Sequence, residues 1–287
     1  MKEQINVKYT NNRENSVTLT EYPYFIDIEP LYDYKWSYKS RDASSGSVVK
    51  GFYKDITDKS LTLRVFGNNR AERNAAIDEL NSIFEVDIFD NKAGKITVGP
   101  WYTYGYITAS DNSDWQYGAA VAEKKVTLTS ERQAWYSVLK RTSWGNAVKA
   151  DAAEFDKQYE PSYLYDYDYT NGAGSQLILN NPSVNASEFV LTVQGAATSP
   201  YLKIGENVYH ITADVPAGAV LVVDSTKKTA LMTQADGTVI NMFSARDADY
   251  NIFARIESGA NPVVYDGTFL WQLDVIEERS EPRWLTA

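Results

Sequence analysis

The chain has 287 residues, a mass of 32.3 kDa, a formal net charge of −10 and no cysteine. This acidity argues against sequence-specific binding of nucleic acid, which needs clustered Lys and Arg, and the lack of cysteine excludes disulfides and zinc–thiolate sites. Hydrophobic residues make up 44% of the chain, enough for a packed core, and 21 tyrosines favour β-sheet.

The N-terminal stretch MKEQINVKYT lacks the apolar centre of a secretory signal. The longest apolar run, AGAVLVV, is far too short to span a bilayer. We therefore expect a chain made in the cytoplasm that does not insert into a membrane.

The first third of the sequence predicts strands. SVTLTEYPYFIDIEP reads as a strand that breaks at Pro23 and then resumes. RDASSGSVVKGFYK is a small, polar, Gly-containing loop or hairpin tip. In SLTLRVFG, the residues Leu61, Leu63 and Val65 alternate with polar ones, which places them on one face of a strand.

A helix follows at RNAAIDELNSIF. Asn69 is placed to cap its N-terminus, and Glu72 lies three residues on, as in a capping box. A single apolar stripe is predicted for Ala76, Ile77, Leu80, Ile83 and Phe84. Arg73 is expected on the polar remainder, with Arg70, Asp78, Glu79 and Asn81. The favoured interpretation is a helix that covers one face of a sheet.

Two long strands, GKITVGPWYTYGYITAS and VAEKKVTLTSERQAWY, flank the polar turn DNSDWQYG and predict an extended hairpin, with Trp101 and Trp115 near its ends. Residues 137–176 are less regular. We place a domain boundary near Trp135, which gives an N-terminal domain at 1–135 and a C-terminal domain at 136–287. The tract 136–176 is either a linker or the first strands of the second domain.

The second half consists of short strands at regular intervals. Gly-Glu-Asn at 205–207 and Asp-Ser-Thr at 224–226 have the composition of hairpin connections. Regular short strands joined in this way predict an antiparallel β-sandwich of jelly-roll or Greek-key type.

Motifs for catalysis are few. His210 in NVYHI is the only histidine, so any Ser-His-Asp site must include it, and no Gly-x-Ser-x-Gly elbow or His pair for a metal accompanies it. A histidine facing a sheet is the favoured reading. DNSDW lacks the Gly and Glu of an EF-hand, and NGAGSQ lacks the third Gly of a dinucleotide loop. We expect no enzyme, no cofactor and no metal.

The segment YLYDYDYT admits two readings. If it is extended, Asp166 and Asp168 share one face and the tyrosines share the other. We favour an exposed segment whose tyrosines pack on the domain. The other reading is a platform that stacks on a sugar ring, for which the candidate contacts are Tyr163, Tyr165, Tyr167 and, further along the chain, Trp271.

The order of elements in the first half resembles that of the distal tail protein of long-tailed siphophages. The loop SGSVVKGFY, the strand KSLTLRVFG, the helix and the hairpin ending in KVTLTSERQAWY carry this resemblance. The segments PYLKIGENVYHI, PAGAVLVVDSTKKTALMTQADGTVINMF and FARIESGANPVVYDGTFLWQLDVIEERSEPRW look like the C-terminal domain of that family. Gly259 and Asn261 match the Gly and Asn that precede its last strand.

The resemblance implies a mainly β protein with two parts. The first is an N-terminal sandwich-like or barrel-like belt domain with one helix and a long hairpin, and the second is a C-terminal galectin-like antiparallel β-sandwich. Six belt domains would close into a ring, singly or as back-to-back pairs, below the tail tube. Closure of a ring would also cover exposed strand edges.

The partners that the resemblance implies are the tail tube protein, a tail-tip hub protein, and a receptor-binding protein or host-surface glycan contacted by the C-terminal domain. The expected location is the distal tail tip of the virion, after assembly in the host cytoplasm. Genome DNA would pass through the lumen of the ring, which the net charge of −10 suits because like charges repel.

Two other classes remain open. A lectin-like module acting in attachment to the host or its cell wall would be a monomer with an aromatic sugar platform. A glycoside hydrolase would need two carboxylates a fixed distance apart across a cleft. A galectin-like fold does not by itself establish sugar binding, because function resides in the site.

Overall fold

The computed structural model describes residues 5–44, 46–112, 120–145, 177–265 and 269–282. The protein is mainly β, with 54% strand and 12% helix, which confirms the predicted class. Within these ranges, no helix combines the length and the apolar character needed to cross a membrane. The chain forms two compact units. Unit 1 is Met1–Ser137 together with Glu278–Ala287, and unit 2 is Val138–Glu277.

Within the described residues, the first nine strands and two α-helices belong to unit 1. In chain order they are β1 (Val7–Thr10), β2 (Ser16–Thr18), β3 (Tyr24–Ile26), α1 (Glu29–Tyr32), β4 (Ser37–Ala43), β5 (Gly46–Tyr53), β6 (Thr57–Phe66), α2 (Arg70–Asp90), β7 (Gly94–Val98), β8 (Trp101–Asp111) and β9 (Val121–Ser130).

The later strands belong mostly to unit 2, which also has a 3-10 helix at Phe243–Ala245. In chain order the strands are β10 (Trp135–Trp144), β11 (Leu177–Asn181), β12 (Glu188–Gln194), β13 (Tyr201–Ile204), β14 (Asn207–His210), β15 (Val220–Asp224), β16 (Thr229–Thr233), β17 (Val239–Asn241), β18 (Gly259–Tyr265) and β19 (Leu270–Arg279).

Both divisions between the units fall within a strand. The division between Ser137 and Val138 lies in β10, and the one between Glu277 and Glu278 lies in β19. The expected boundary lay at 135/136 and assigned the C-terminal end to the second half. Instead, the end of β19 joins unit 1, where Arg132 forms an ion pair with Glu278 at 2.7 Å. Of the tract 136–176, the residues up to Trp144 continue strand β10, and 146–176 lie outside the described residues.

The long hairpin predicted in unit 1 is formed by β8 and β9, and β8 is shared between two sheets. Its first half pairs with β7 in the order β2-β1-β7-β8, and its second half pairs with β9 in the order β8-β9-β6-β3. The register shifts between Ile107 and Ala109, as in a β-bulge. The hairpin tip at 113–119, with Trp115, lies outside the described residues.

Helix α2 begins as the sequence predicts. The side chain of Asn69 accepts a hydrogen bond of 3.0 Å from the backbone N–H of Glu72. The carboxylate of Glu72 accepts in return from the N–H of Asn68, at 3.1 Å, one residue before the N-cap. The helix ends at Asp90, and the next residue, Asn91, has the left-handed conformation (φ 50°) that often follows the C-terminus of a helix.

The buried face of α2 contains two charged residues. Ala76, Ile77, Leu80 and Phe84 are buried as predicted, and Ile83 is half-buried. Arg73 and Asp87 extend the same stripe by one turn at each end, and both are 0% exposed. The expectation that Arg73 lies on the polar face is therefore wrong. Helical spacing places both charges toward the sheet.

Asp87 joins the helix to the first strand. Its carboxylate accepts hydrogen bonds from the Tyr9 hydroxyl at 2.5 Å, the Asn12 backbone N–H at 2.7 Å and the Asn12 side-chain amide at 2.9 Å. Burial, reinforced by this carboxylate, raises the pKa of Tyr9 far above its usual value. Gly94 lies against both groups, and a Cβ there would collide with the Asp87 carboxylate and the Tyr9 hydroxyl.

Unit 2 is an antiparallel β-sandwich. One sheet has the order β17-β16-β15-β12-β19-β10 and the other the order β11-β18-β13-β14. Their inner faces form one apolar core, with residues such as Leu191 and Leu273 from the first sheet and Leu202 and Val263 from the second. The turn at Gly205–Glu206 and the one that follows Asp224 connect hairpins as predicted. A galectin-like topology stays a prediction.

Glu188 is a buried acid at the edge of this core. Its carboxylate accepts hydrogen bonds from Ser225 at 2.7 Å and from Arg255 at 2.8 Å, and Lys228 lies 3.3 Å away. Burial alone would raise the pKa of this carboxyl, but the hydrogen bonds and the two cations outweigh burial and lower it.

Replacing Asp87 by Ala should destabilise unit 1. The change leaves the buried Tyr9 hydroxyl and the half-buried Asn12 N–H without their acceptor, so we expect a loss of about 3 kcal/mol in the free energy of unfolding. Chemical denaturation measures it. Asp90→Ala is the matched control on the same helix, because Asp90 pairs with the exposed Arg13 and exposed pairs contribute little. Equal losses for the two variants would contradict this account.

Replacing Glu188 by Gln should destabilise unit 2 by about 2 kcal/mol near neutral pH. Because the pKa of Glu188 is lower in the folded chain, its contribution is complete above the ordinary carboxyl pKa of about 4 and is lost as the pH falls below it. The two stabilities should therefore converge in acid. The exposed Glu206→Gln variant should match wild type throughout, and a constant Glu188→Gln deficit at all pH values would disprove the assignment.

Candidate functional site

The predicted sugar-contact residues are not brought together by the described structure. Tyr163, Tyr165 and Tyr167 lie outside the described residues, as do Asp166 and Asp168, so their role stays a prediction. Trp271 is 2% exposed, and its ring stacks on Trp144 with the centroids 4.0 Å apart. It packs as a core residue of unit 2, a placement that argues against contact with a sugar.

His210 lies in a Ser-His-Asp arrangement that the sequence did not predict. The Ser199 hydroxyl lies 3.0 Å from His210 Nε2, and Asp247 Oδ2 lies 2.9 Å from His210 Nδ1. Asp247 also accepts a 3.0 Å hydrogen bond from the backbone N–H of Asp249. The hydrogen bond with His210 is the main reason that the pKa of Asp247 falls below its usual value.

The surroundings of Ser199 do not suit acyl transfer. An oxyanion hole needs free N–H donors beside the nucleophile, but the N–H of Ser199 already donates to Asp214 at 3.1 Å, and Pro200 has no N–H. The cavity that borders His210 has a volume of about 10 Å³, close to the space for one water. The three side chains therefore tie together the loop before β13, the end of β14 and the segment after the 3-10 helix.

One exposed apolar surface of unit 1 is the β4–β5 hairpin, which forms a two-stranded sheet of its own. All eight residues of β5 are exposed. Tyr38 pairs with Phe52, and Val49 lies opposite Ser40, so these aromatic and aliphatic side chains share one face. Phe52 is 66% exposed. We call Tyr38, Val49 and Phe52 the hairpin's apolar face.

The root of this hairpin is held in place from both strands. Gln133, which is buried, accepts a 2.8 Å hydrogen bond at its side-chain oxygen from the N–H of Lys35, and its backbone carbonyl accepts one from the Lys54 ammonium. The Lys54 ammonium also lies 4.7 Å from the centre of the Trp36 ring. The hairpin thus projects from a fixed base.

A second open surface of unit 1 is a groove of about 340 Å³ between the last turns of α2 and the β8–β9 hairpin. Phe89, which is 81% exposed, and Ile88 line its helix side. Ala109, at the register shift of β8, lies on the opposite side. Inside the groove, Lys124 donates a 2.7 Å hydrogen bond to Asn81, and burial lowers the pKa of Lys124.

A metal centre has no support in the described part of the chain, where no group of three or more His, Asp or Glu side chains could hold an ion. The notable features are therefore the hydrogen-bonded Ser199–His210–Asp247 arrangement in unit 2 and two open apolar surfaces in unit 1, the β4–β5 hairpin and the groove beside α2. Open apolar surfaces of this kind mark places where proteins associate.

In fold, the chain is similar to components of phage adsorption apparatuses. A crystal structure described as SPP1 Dit (gp 19.1), "a Paradigm of Hub Adsorption Apparatus in Gram-positive Infecting Phages", matches with a TM-score of 0.56 at 10% identity, over 95% of this chain and 99% of that one. Chains of the phage P2 baseplate in its activated conformation match with TM-scores of 0.63 with Ca and 0.66 with Sr.

Those two baseplate matches have 9% and 11% identity, and each covers 97% of this chain and 99% of the other. At such low identity, the likeness establishes the fold. Searches against protein-family models and against curated protein sequences give no match.

Ser199 should not react as an activated nucleophile. Because the N–H of Ser199 already donates to Asp214 and Pro200 has no N–H, we expect a fluorophosphonate probe to leave the chain unlabelled under conditions that label a serine hydrolase fully. The measurement is intact-protein mass. Labelling that disappears in both Ser199→Ala and His210→Ala would contradict this reading, and Ser187→Ala is the control for an unrelated serine.

Proposed function

We propose that the chain is a structural protein of the adsorption apparatus of a long-tailed phage. It forms a hexameric ring at the distal end of the tail tube and joins the tube to the tail-tip and host-adhesion proteins. The observation that carries this proposal is the fold match to hub and baseplate chains over at least 95% of this chain and 99% of each of those.

Unit 1 supplies the means of assembly. It has a core of its own, with α2 packed against the sheet, and it carries the exposed hairpin and the groove. Exposed apolar area of this extent costs free energy in a monomer and is covered when copies associate. We therefore assign ring formation to unit 1, in agreement with the role expected for the N-terminal half.

Unit 2 then provides contact with other tail proteins or with the host surface. Its sandwich has a separate core, so it can vary in its loops without disturbing unit 1. The burial of Trp271 removes one of the residues on which a sugar platform would depend. We therefore favour the tail-hub role over the lectin-like module, with the virion tail tip as the location.

A structural role also accounts for the chemistry of the chain. In the Ser199–His210–Asp247 arrangement the N–H of Ser199 donates to Asp214, and the cavity that borders His210 has space for about one water, so we propose that the protein acts by shape and not by turnover. The formal charge of −10 suits a ring through which DNA passes, because an acidic wall repels the phosphate backbone.

The purified chain should assemble as its concentration rises. Six copies of 32.3 kDa give about 194 kDa, and a pair of rings gives twice that mass. Native mass spectrometry and light scattering after gel filtration measure the distribution. The expected result is a hexamer or a double hexamer with few intermediate species. A dimer that persists at every concentration, with no larger species, would count decisively against the ring.

A further inference from the structure

Lys124 is a buried lysine on the core face of β9. Ala122, Val126 and Leu128 share that face with it, and each of these side chains is at most 4% exposed. On the neighbouring strand β6, Leu63 lies opposite Lys124 and is fully buried. Lysine is almost never buried unless its charge is paired. A position that the strand pattern gives to an apolar residue therefore holds an amine.

The partner of this buried amine is a neutral carboxamide. The Lys124 ammonium donates a 2.7 Å hydrogen bond to Oδ1 of Asn81, which lies on α2, 43 residues earlier in the chain. Because a C=O bond is about 1.2 Å long, Nζ lies about 3–4 Å from the amide carbon of Asn81, near the separation from which bound groups react. Lys54 and Lys59 donate instead to backbone carbonyls. The amide nitrogen of Asn81 belongs to a side chain, so it can leave without a break in the backbone.

Two acids lie on the same face of α2 as Asn81. Asp78 comes three residues before it and Glu85 four residues after it. Burial lowers the pKa of Lys124, and the charges of Glu85 and Asp78 act in the opposite direction. A lowered pKa increases the fraction of neutral amine, which is the nucleophilic form of lysine. Glu85 lines the same groove as Lys124 and Asn81, and the groove, at about 340 Å³, admits water that can carry protons between them.

We propose that Lys124 and Asn81 form an isopeptide bond, which joins β9 covalently to α2. Lys124 first gives one proton to Glu85 through a water molecule. The neutral Nζ then attacks the amide carbon of Asn81, and a new C–N bond forms. As the old C–N bond breaks, Nδ2 leaves as ammonia with the proton returned by Glu85, and it takes a second proton from Nζ. An ammonium group and a carboxamide thus become a secondary amide and a free ammonium ion, with no oxidant or reductant.

The bond ties together the two walls of the groove beside α2. The chain has no cysteine, so a disulfide cannot supply such a tie. A cross-link between residues 43 apart restricts the unfolded chain and therefore stabilises the folded one. The reaction occurs once in each chain, which agrees with a protein that has no turnover. The inference does not depend on the proposed ring.

The intact mass of the full-length chain tests this bond, because the loss of ammonia lowers the mass by about 17 Da. We expect this loss after prolonged incubation at neutral pH, and a tryptic digest should contain a branched peptide that joins the segments of Asn81 and Lys124. Lys124→Arg keeps the positive charge, but a guanidinium is not a nucleophile at this pH, so this variant should keep its full mass. Lys125→Arg is the matched control. Its side chain lies on the opposite face of β9, and it should lose ammonia as the wild type does.

Two further measurements follow the bond in time and in stability. Glu85→Gln should lose ammonia at least about tenfold more slowly than the wild type, because it cannot carry the protons. The thermal midpoint of the cross-linked chain should exceed that of Lys124→Arg by about 10 °C.

A wild-type chain that keeps its full mass and yields no branched peptide would overturn the proposal, whether or not Lys124→Arg folds. A loss of ammonia that persists in Lys124→Arg would place the reaction elsewhere in the chain and would also overturn it. An unchanged rate in Glu85→Gln would overturn the role of Glu85.

Discussion

The buried carboxylate of Asp87 holds helix α2 against the first strand of unit 1, and the placement of the open surfaces depends on it. Three hydrogen bonds from Tyr9 and Asn12 satisfy this charge at the point where the helix ends. A buried charge is tolerated only where such donors converge, so the helix cannot slide or rotate without leaving it unpaired. Gly94 permits the approach because it has no Cβ to occupy the same space.

Because that end of α2 is fixed, the residues on either side of Asp87 acquire their positions. Glu85, Ile88 and Phe89 border the groove, with the register shift of β8 facing them. One polar contact inside the unit therefore shapes an apolar surface on its outside. The root of the β4–β5 hairpin at Gln133 is a second fixed point of the same kind.

Much of this fold could be predicted from local patterns. The alternation of Leu61, Leu63 and Val65 and the Asn69 cap depend on neighbours within a few residues, and the structure confirms both. The burial of Arg73 and Asp87 could not be predicted, because charges are usually exposed and the partner Tyr9 lies far away along the chain. The one indication in the sequence that these two residues are buried is their spacing, because Arg73 and Asp87 continue the apolar stripe of α2 at helical intervals.

The site was less accessible from sequence than the fold. Ser199, His210 and Asp247 come from three separate segments, and no short motif links them. The sequence predicts a polar loop or hairpin tip at RDASSGSVVKGFYK, because serines and glycines surround the turn, and it gives no sign that the valines and aromatic residues beside the turn lie on exposed strands. Whether an apolar strand is buried or exposed depends on what packs against it in the fold, and a local sequence pattern does not contain that information.

We propose that six copies of this fold close into a ring. Electron microscopy of the purified chain tests it most directly, because the symmetry is seen without a fitted mass. We expect class averages with six-fold symmetry and an open centre. Averages that show only two-fold particles without a central opening would contradict it.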